Sequence, residues 1–185
     1  ENVPFHGGAC MTQAVVDRRG TRLEAIPNFV GGEWVAAEAA ESLPVVDPGT
    51  GEVLGRVPLS GVEDVGRAVR AAREAFPAWR ATPAVERARV LFRLKTLLEE
   101  HADELAESVA REHGKTRAEA RGEVQRGIEN VEHACGIPSL MMGETLEDIA
   151  AGIDCETVRQ PLGVFAAVTP YNFPVMIPLW FWPYA

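Results

Sequence analysis

Pro161-Leu162-Gly163-Val164-Phe165-Ala166-Ala167-Val168-Thr169-Pro170-Tyr171-Asn172-Phe173-Pro174 is the stretch whose reading decides the fold. It opens a run, Pro161 to Ala185, without a single charged residue. Prolines at 161, 170, 174, 178 and 183, with Asn172 in mid-run, argue against a membrane-spanning helix. Gly163 to Val168 instead reads as a parallel strand buried on both faces, bounded by Pro161 and Pro170. A turn and an apolar helix opened by Pro174 are expected next. The class is therefore α/β. Ligands of such sheets gather at the carboxyl ends of strands, so chemistry is sought at Thr169 to Pro174.

Upstream, the chain alternates hairpin and helix signals. Asn28-Phe29-Val30, Gly31-Gly32 and Glu33-Trp34-Val35 predict a short hairpin. Leu43 to Val46 and Val53 to Val57, joined by Asp47-Pro48-Gly49-Thr50-Gly51, predict a second. The Asp-Pro-Gly chemistry explains the turn without a nucleotide loop. Ser60 with Glu63 forms a capping-box pattern ahead of a helix whose Val62, Val65, Val69, Ala72 and Phe76 share a face, with Pro77 as its expected end. Thr82-Pro83 reads as an N-cap and first helical residue. Val90, Leu91, Leu94, Leu97 and Leu98 form the stripe of that helix, continued after a break near His101 by Leu105 and Val109 and stopped by Gly114. Thr116 with Glu119 caps a helix whose buried stripe is Val124, Ile128, Val131 and Cys135.

Residues 1–26 show neither periodicity and read as an unstructured leader; Met11 is a possible natural start. No signal-peptide core follows Arg18-Arg19. With 18 basic and 27 acidic residues the net charge is −9, which disfavours nucleic acid and anionic membranes as partners. Cys10, Cys135 and Cys155 are widely spaced and without a CxxC pair, which suits a reducing compartment, the cytoplasm.

Thr169-Pro170-Tyr171-Asn172-Phe173-Pro174 resembles the TPWNFP-type motif of the aldehyde dehydrogenase superfamily. Within it, three further stretches resemble the CoA-acylating methylmalonate-semialdehyde dehydrogenases. They are Glu112 to Thr116, Gly122 to Ala134 and Pro138 to Glu144. The resemblance runs from Pro27 to Ala185. It implies the amino-terminal part of a Rossmann-like cofactor domain: hairpins and helices over 27–144, an oligomerisation strand over 145–160, and the first buried strand and helix of the core over 161–185. The family's later glycine-containing segment, general-base glutamate and nucleophilic cysteine have no counterpart here. A truncated chain, inactive alone, is therefore expected.

The resemblance also assigns roles. Asn172 becomes the side-chain donor of an oxyanion hole, where the hexapeptide read alone allows a turn residue before a helix. Thr169, Pro170 and Tyr171 would line the NAD cleft, though a strand-end threonine and a core-edge tyrosine are also ordinary structural residues. Arg126 lies opposite the buried stripe, either pairing with Glu129 one turn on or clamping the carboxylate of a semialdehyde acid, for which its planar fork is suited. His133 and Cys135, at i and i+2, point to different faces, so no metal site is expected. The implied reaction is NAD-dependent oxidation of methylmalonate or malonate semialdehyde, with decarboxylation, to propionyl-CoA or acetyl-CoA, with coenzyme A as co-substrate, in valine, pyrimidine or inositol catabolism. The enzyme would be a homo-oligomer, cytoplasmic in bacteria and mitochondrial in eukaryotic relatives. Two alternatives stand beside it: a hydrolytic dehydrogenase for succinate semialdehyde or another small aldehyde, and a non-catalytic oligomerisation fragment.

Overall fold

A computed structural model of the chain describes residues 25–185, so the expected leader falls outside it except for Ala25 and Ile26. Among the described residues every strand pairs with its neighbour in sequence, which yields three separate antiparallel ribbons. Strands β1 (Asn28–Val30) and β2 (Glu33–Val35) turn at Gly31 and Gly32, both at positive φ, the conformation a two-residue hairpin loop requires. Strands β3 (Ser42–Val46) and β4 (Val53–Pro58) close around Asp47, whose Oδ1 accepts from the Gly49 and Thr50 amides at 2.7 and 3.1 Å. Both hairpins match the sequence reading.

The helices follow local chemistry, with three shifts from expectation. Helix α1 (Val62–Ala81) is capped one residue later than Ser60: Asp64 Oδ2, not Glu63, reaches back to the Gly61 amide at 3.1 Å. Ser60 is taken by Asn28, whose Nδ2 donates to its hydroxyl at 2.9 Å. Pro77 does not end α1, which runs on to Ala81. Arg73, whose carbonyl Pro77 cannot satisfy, is exposed, so the lost rung stands where water can replace it. Thr82 closes α1 instead of opening the next helix, its hydroxyl donating to the Ala78 carbonyl at 3.0 Å. Pro83 is the N-cap of α2 (Ala84–Glu100).

The break at His101 and the stop at Gly114 are as read. Helix α3 spans Ala102–His113, and Gly114 at φ 81° is its left-handed cap. Helix α4 (Arg117–Ala134) begins with the Thr116–Glu119 capping box. Its Ala120, Val124 and Ile128 pack with Ala106 and Val109 of α3 to form the core, with Leu98, Leu105 and Val175 at its margin. The apolar face of α1 lies in solvent, Val62 being 86% exposed.

After the short helix α5 (Ile137–Leu140), strands β5 (Thr145–Ala150) and β6 (Ile153–Glu156) form an exposed ribbon over the expected oligomerisation segment. The buried strand expected at Gly163–Val168 does not form. That stretch has no regular secondary structure and no ladder partners, Leu162 is 88% exposed and Val168 fully so. A strand buried on both faces needs neighbours, and each described strand already has its partner within its own hairpin. The apolar helix begins at Pro178, not Pro174, as α6 (Pro178–Phe181). The first rung from such a helix does form, the Ile177 amide donating to the Phe173 carbonyl at 3.2 Å, but Pro178 lacks the N–H for the next one, to the Pro174 carbonyl. Met176, Ile177 and Leu179 are nonetheless buried, and a Cβ on Gly127 of α4 would meet Leu179 Cδ1 at 2.8 Å.

A Cβ on Gly143 would stand 1.6 Å from the Thr157 carbonyl oxygen, beside the Thr157 amide's bond to the Glu144 carbonyl at 2.8 Å. Gly143→Ala is expected to cost about 1–3 kcal/mol, as overpacking does, with faster hydrogen exchange at the Thr157 amide than elsewhere in the ribbon.

Asp64 is buried and accepts from the Glu38 and Gly61 amides at 3.2 and 3.1 Å and from Arg67. These bonds, the Glu38 amide first, hold its carboxyl below the ordinary 3.8. Its contribution is therefore complete above that ordinary value and lost as pH falls through the depressed one. Asp64→Asn should flatten the acid limb of an unfolding profile and leave the neutral region less affected by pH.

Candidate active site around Asn172

The site is organised by a charge where a side chain should be apolar. Glu123 falls on the buried stripe of α4, three residues after Ala120 and four before Gly127, and is fully enclosed. An isolated buried carboxylate is costly, so its lone pairs must be claimed. Oε2 accepts from Lys115 Nζ at 2.5 Å; Oε1 accepts from the Val175 and Met176 amides at 2.9 and 3.3 Å.

Lys115 occupies the link that Gly114 bends between α3 and α4. Besides Glu123, its ammonium donates to the Asn172 backbone carbonyl at 2.7 Å and lies 4.0 Å over the Phe173 ring centroid. The segment 172–176 is thus fixed to α4 through one ion pair.

Arg126 stands on the exposed side of α4, as its phase predicts. It does not pair with Glu129, which instead accepts from Gln125 Nε2 at 3.3 Å. Its Nε donates to the Gly122 carbonyl at 3.3 Å and its guanidinium lies 5.6 Å from the Phe173 centroid. Phe173 is therefore flanked by both cations, and Arg126 joins the same neighbourhood as Asn172.

Tyr171 is held from below. Its hydroxyl donates to the Glu112 carbonyl at 3.2 Å, its ring meets His113 at 5.5 Å, and burial pushes the phenol's pKa up. Thr169 is half-buried and Pro170 exposed at the end of the unpaired run. Asn172 is exposed, and its backbone carbonyl, not its side chain, is engaged by Lys115.

The structure therefore brings Asn172, Tyr171 and Arg126 together and adds Lys115 and Glu123, which the sequence reading quoted without assigning a role. The signal was a glutamate in phase with an apolar stripe. The cysteines lie elsewhere. Cys135 is buried on α4's inner side, with its thiol's pKa raised by desolvation, and Cys155 is exposed on β6. His133 faces away from Cys135, bonded to the Tyr184 hydroxyl. A cavity of about 300 Å³ lined by Phe76, Trp79, Arg87, Phe165 and Trp182 contains none of the Asn172 group.

Removing one partner of a buried pair strands the other. Glu123→Ala should therefore destabilise by about 3–5 kcal/mol in denaturant unfolding, whereas the paired change Glu123→Leu with Lys115→Met should cost clearly less.

With this geometry in view, comparison with known proteins is direct. The chain is 54% identical over 160 residues to malonate-semialdehyde dehydrogenase 1 of Geobacillus kaustophilus, covering 86% of this chain and 33% of that protein. It is 50% identical over 165 residues to malonate-semialdehyde dehydrogenase of Bacillus pumilus, covering 89% and 34%. Among solved structures, methylmalonate-semialdehyde dehydrogenase from Oceanimonas doudoroffii superposes with a TM-score of 0.84 at 48% identity, covering 87% of this chain and 33% of that one. A putative methylmalonate-semialdehyde dehydrogenase from Sinorhizobium meliloti 1021, solved in complex with NAD, gives 0.82 at 42% identity, covering 85% and 32%. The chain spans about a third of the length of the curated relatives it matches. The sequence profile of the aldehyde dehydrogenase family matches residues 34–185, and the chain belongs to that family.

Proposed function

We propose that this chain supplies the oxyanion donor and the carboxylate clamp of an NAD-dependent dehydrogenase for malonate or methylmalonate semialdehyde, with coenzyme A as acyl acceptor. The observation that carries the reading is the shared placement of Asn172 and Arg126 around Phe173. One offers a neutral N–H donor and the other a fixed cation, which is what a substrate with an aldehyde at one end and a carboxylate at the other requires. The malonate-semialdehyde dehydrogenase names of the relatives support the same substrate class.

In this reading the Asn172 amide donates to the oxygen that becomes anionic when the aldehyde carbon is attacked. Arg126 holds the distal carboxylate by charge-assisted bonds, and its guanidinium is steadied by the Gly122 carbonyl on Nε and by the Phe173 ring. The residues at 169–171 suit a nicotinamide dinucleotide in kind. The run before them has backbone groups outside any ladder, Thr169 adds a hydroxyl, and Tyr171 presents a ring whose hydroxyl is already committed to Glu112. Bound along Thr169, Pro170 and Tyr171, that cofactor would supply the hydride acceptor.

The exposed β5–β6 ribbon, with Leu146, Ile149 and Ile153 on its surface, suits a subunit contact in a homo-oligomer. No described helix is long and apolar enough to cross a membrane, and the bacterial relatives suit a cytoplasmic place of work.

In a full-length dehydrogenase carrying this segment, Arg126→Leu should raise KM for methylmalonate semialdehyde about 10- to 100-fold while changing propanal little, since propanal has no carboxylate to lose. Asn172→Ala should lower kcat for both substrates about 10²- to 10³-fold with NAD binding retained. Identifying the product, acyl-CoA or free acid, and the rate of NADH formation with and without coenzyme A separates the acylating reaction from hydrolysis. Equal losses for the two substrates on changing Arg126 would sink the clamp.

A further inference from the structure

Most of the polar clusters in this chain have a plain structural use: Asp64 caps α1, Asp47 closes a turn, and His133 fastens the 3-10 turn at Trp182–Tyr184 to α4. The Lys115–Glu123 pair is different, because its third partner is the backbone of the candidate oxyanion donor.

The geometry points to Lys115 and Glu123 as positioning residues that set the direction of the Asn172 side chain. The inference rests on the reading of Asn172 as the oxyanion donor. The Asn172 carbonyl accepts from Lys115 at 2.7 Å, and the next rigid points along the chain are the Val175 and Met176 amides on Glu123 Oε1. The peptide is therefore held at both ends of Asn172-Phe173-Pro174 by two groups that also hold each other. Upstream, the Tyr171 hydroxyl on the Glu112 carbonyl provides a third fixed point on α3. With the carbonyl fixed on one side of the backbone, the side chain is left to leave from the other, exposed and free to meet a substrate oxygen. Phe173 fills the space beneath, its ring 4.0 Å from the ammonium, so the segment cannot rotate about its own axis without giving up the cation–ring contact.

A donor aimed by its backbone works only while that backbone stays in place, and a displacement of about 1 Å is enough to cost about 10²-fold in rate. A positioning role makes a specific claim about coupling. Loss of Lys115 should matter only as long as Asn172 has an amide to aim.

The test is a double-mutant cycle in a full-length dehydrogenase carrying this segment, using Lys115→Met, Asn172→Ala and their combination, with Lys115→Arg as the milder variant. Lys115→Met is expected to lower kcat about 10- to 100-fold for methylmalonate semialdehyde and propanal alike, with KM and NAD affinity little changed. Lys115→Arg, which keeps a cation near Glu123, should recover part of that loss. In the Asn172→Ala background the same Lys115 changes should alter kcat less than about twofold. Should Lys115→Met not accumulate as folded enzyme, the Lys115→Arg arm of the cycle decides alone. Full additivity, or a loss confined to KM, overturns the positioning role while leaving Asn172 as donor. If Asn172→Ala by itself leaves kcat intact, the donor reading fails, and that result is recognisable before the cycle is closed.

Discussion

The fully enclosed carboxylate of Glu123 is the constraint on which the arrangement depends. A charge removed from water must be met on every side, and here the partners reach helix α4 from two other places in the sequence. They are the α3–α4 link through Lys115 and the amides of Val175 and Met176. Each of those segments could pack in other ways if only apolar contact held it. The ion pair and its two backbone donors admit one. A buried pair of this kind adds little net stability over a well-packed apolar pair, so its visible effect is to select a single register for the 172–176 segment against α4.

The rest of the site takes its position from that register. Gly127, one turn beyond Glu123, has no side chain and lets Met176 and Leu179 reach the α4 backbone closely. Arg126, on the next phase of the same helix, meets Phe173 because Phe173 is already pinned beneath Lys115. Elsewhere the apolar surface is uncovered: Val62 and Val65 on α1, and Leu162, Phe165 and Val168 in the unpaired run, all face solvent. Exposed apolar groups in such number mark surfaces that have something to bury. The Asn172 segment is held despite lying beside them, because its anchors are polar and directional and do not require a sheet.

What was legible in the sequence was local. The Thr116–Glu119 box, the Gly114 stop, the break at His101 and both hairpins are decided within a few residues, and all appear where the residues put them. Pro77 misled because loss of one rung does not end a helix at an exposed position, and the Ser60 cap misled because Asn28, distant in sequence, claims that hydroxyl. The strand at Gly163–Val168 was read from composition, which reports a wish to be buried but not whether neighbours exist. For Arg126 the helical phase gave the correct face, and of its two readings the local pair with Glu129 does not form. Glu129 was near in sequence, but the ring of Phe173 arrives from another segment altogether. Glu123 was visible as a charge on an apolar stripe, yet nothing local says which cation and which amides will meet it.

The division of labour within Asn172 follows from the same physics. Its backbone carbonyl is committed to an ammonium that is itself committed to a buried carboxylate, so the main chain has little freedom to shift. Its side chain remains exposed, and in the proposed role its amide is the group offered to a substrate oxygen. A residue whose side chain also held the fold would have to break that bond each time it donated to a ligand. In the proposed role, a structural bond on the carbonyl and a chemical one on the amide avoid that conflict, and the donor would be oriented before substrate arrives, as electrostatic preorganisation requires.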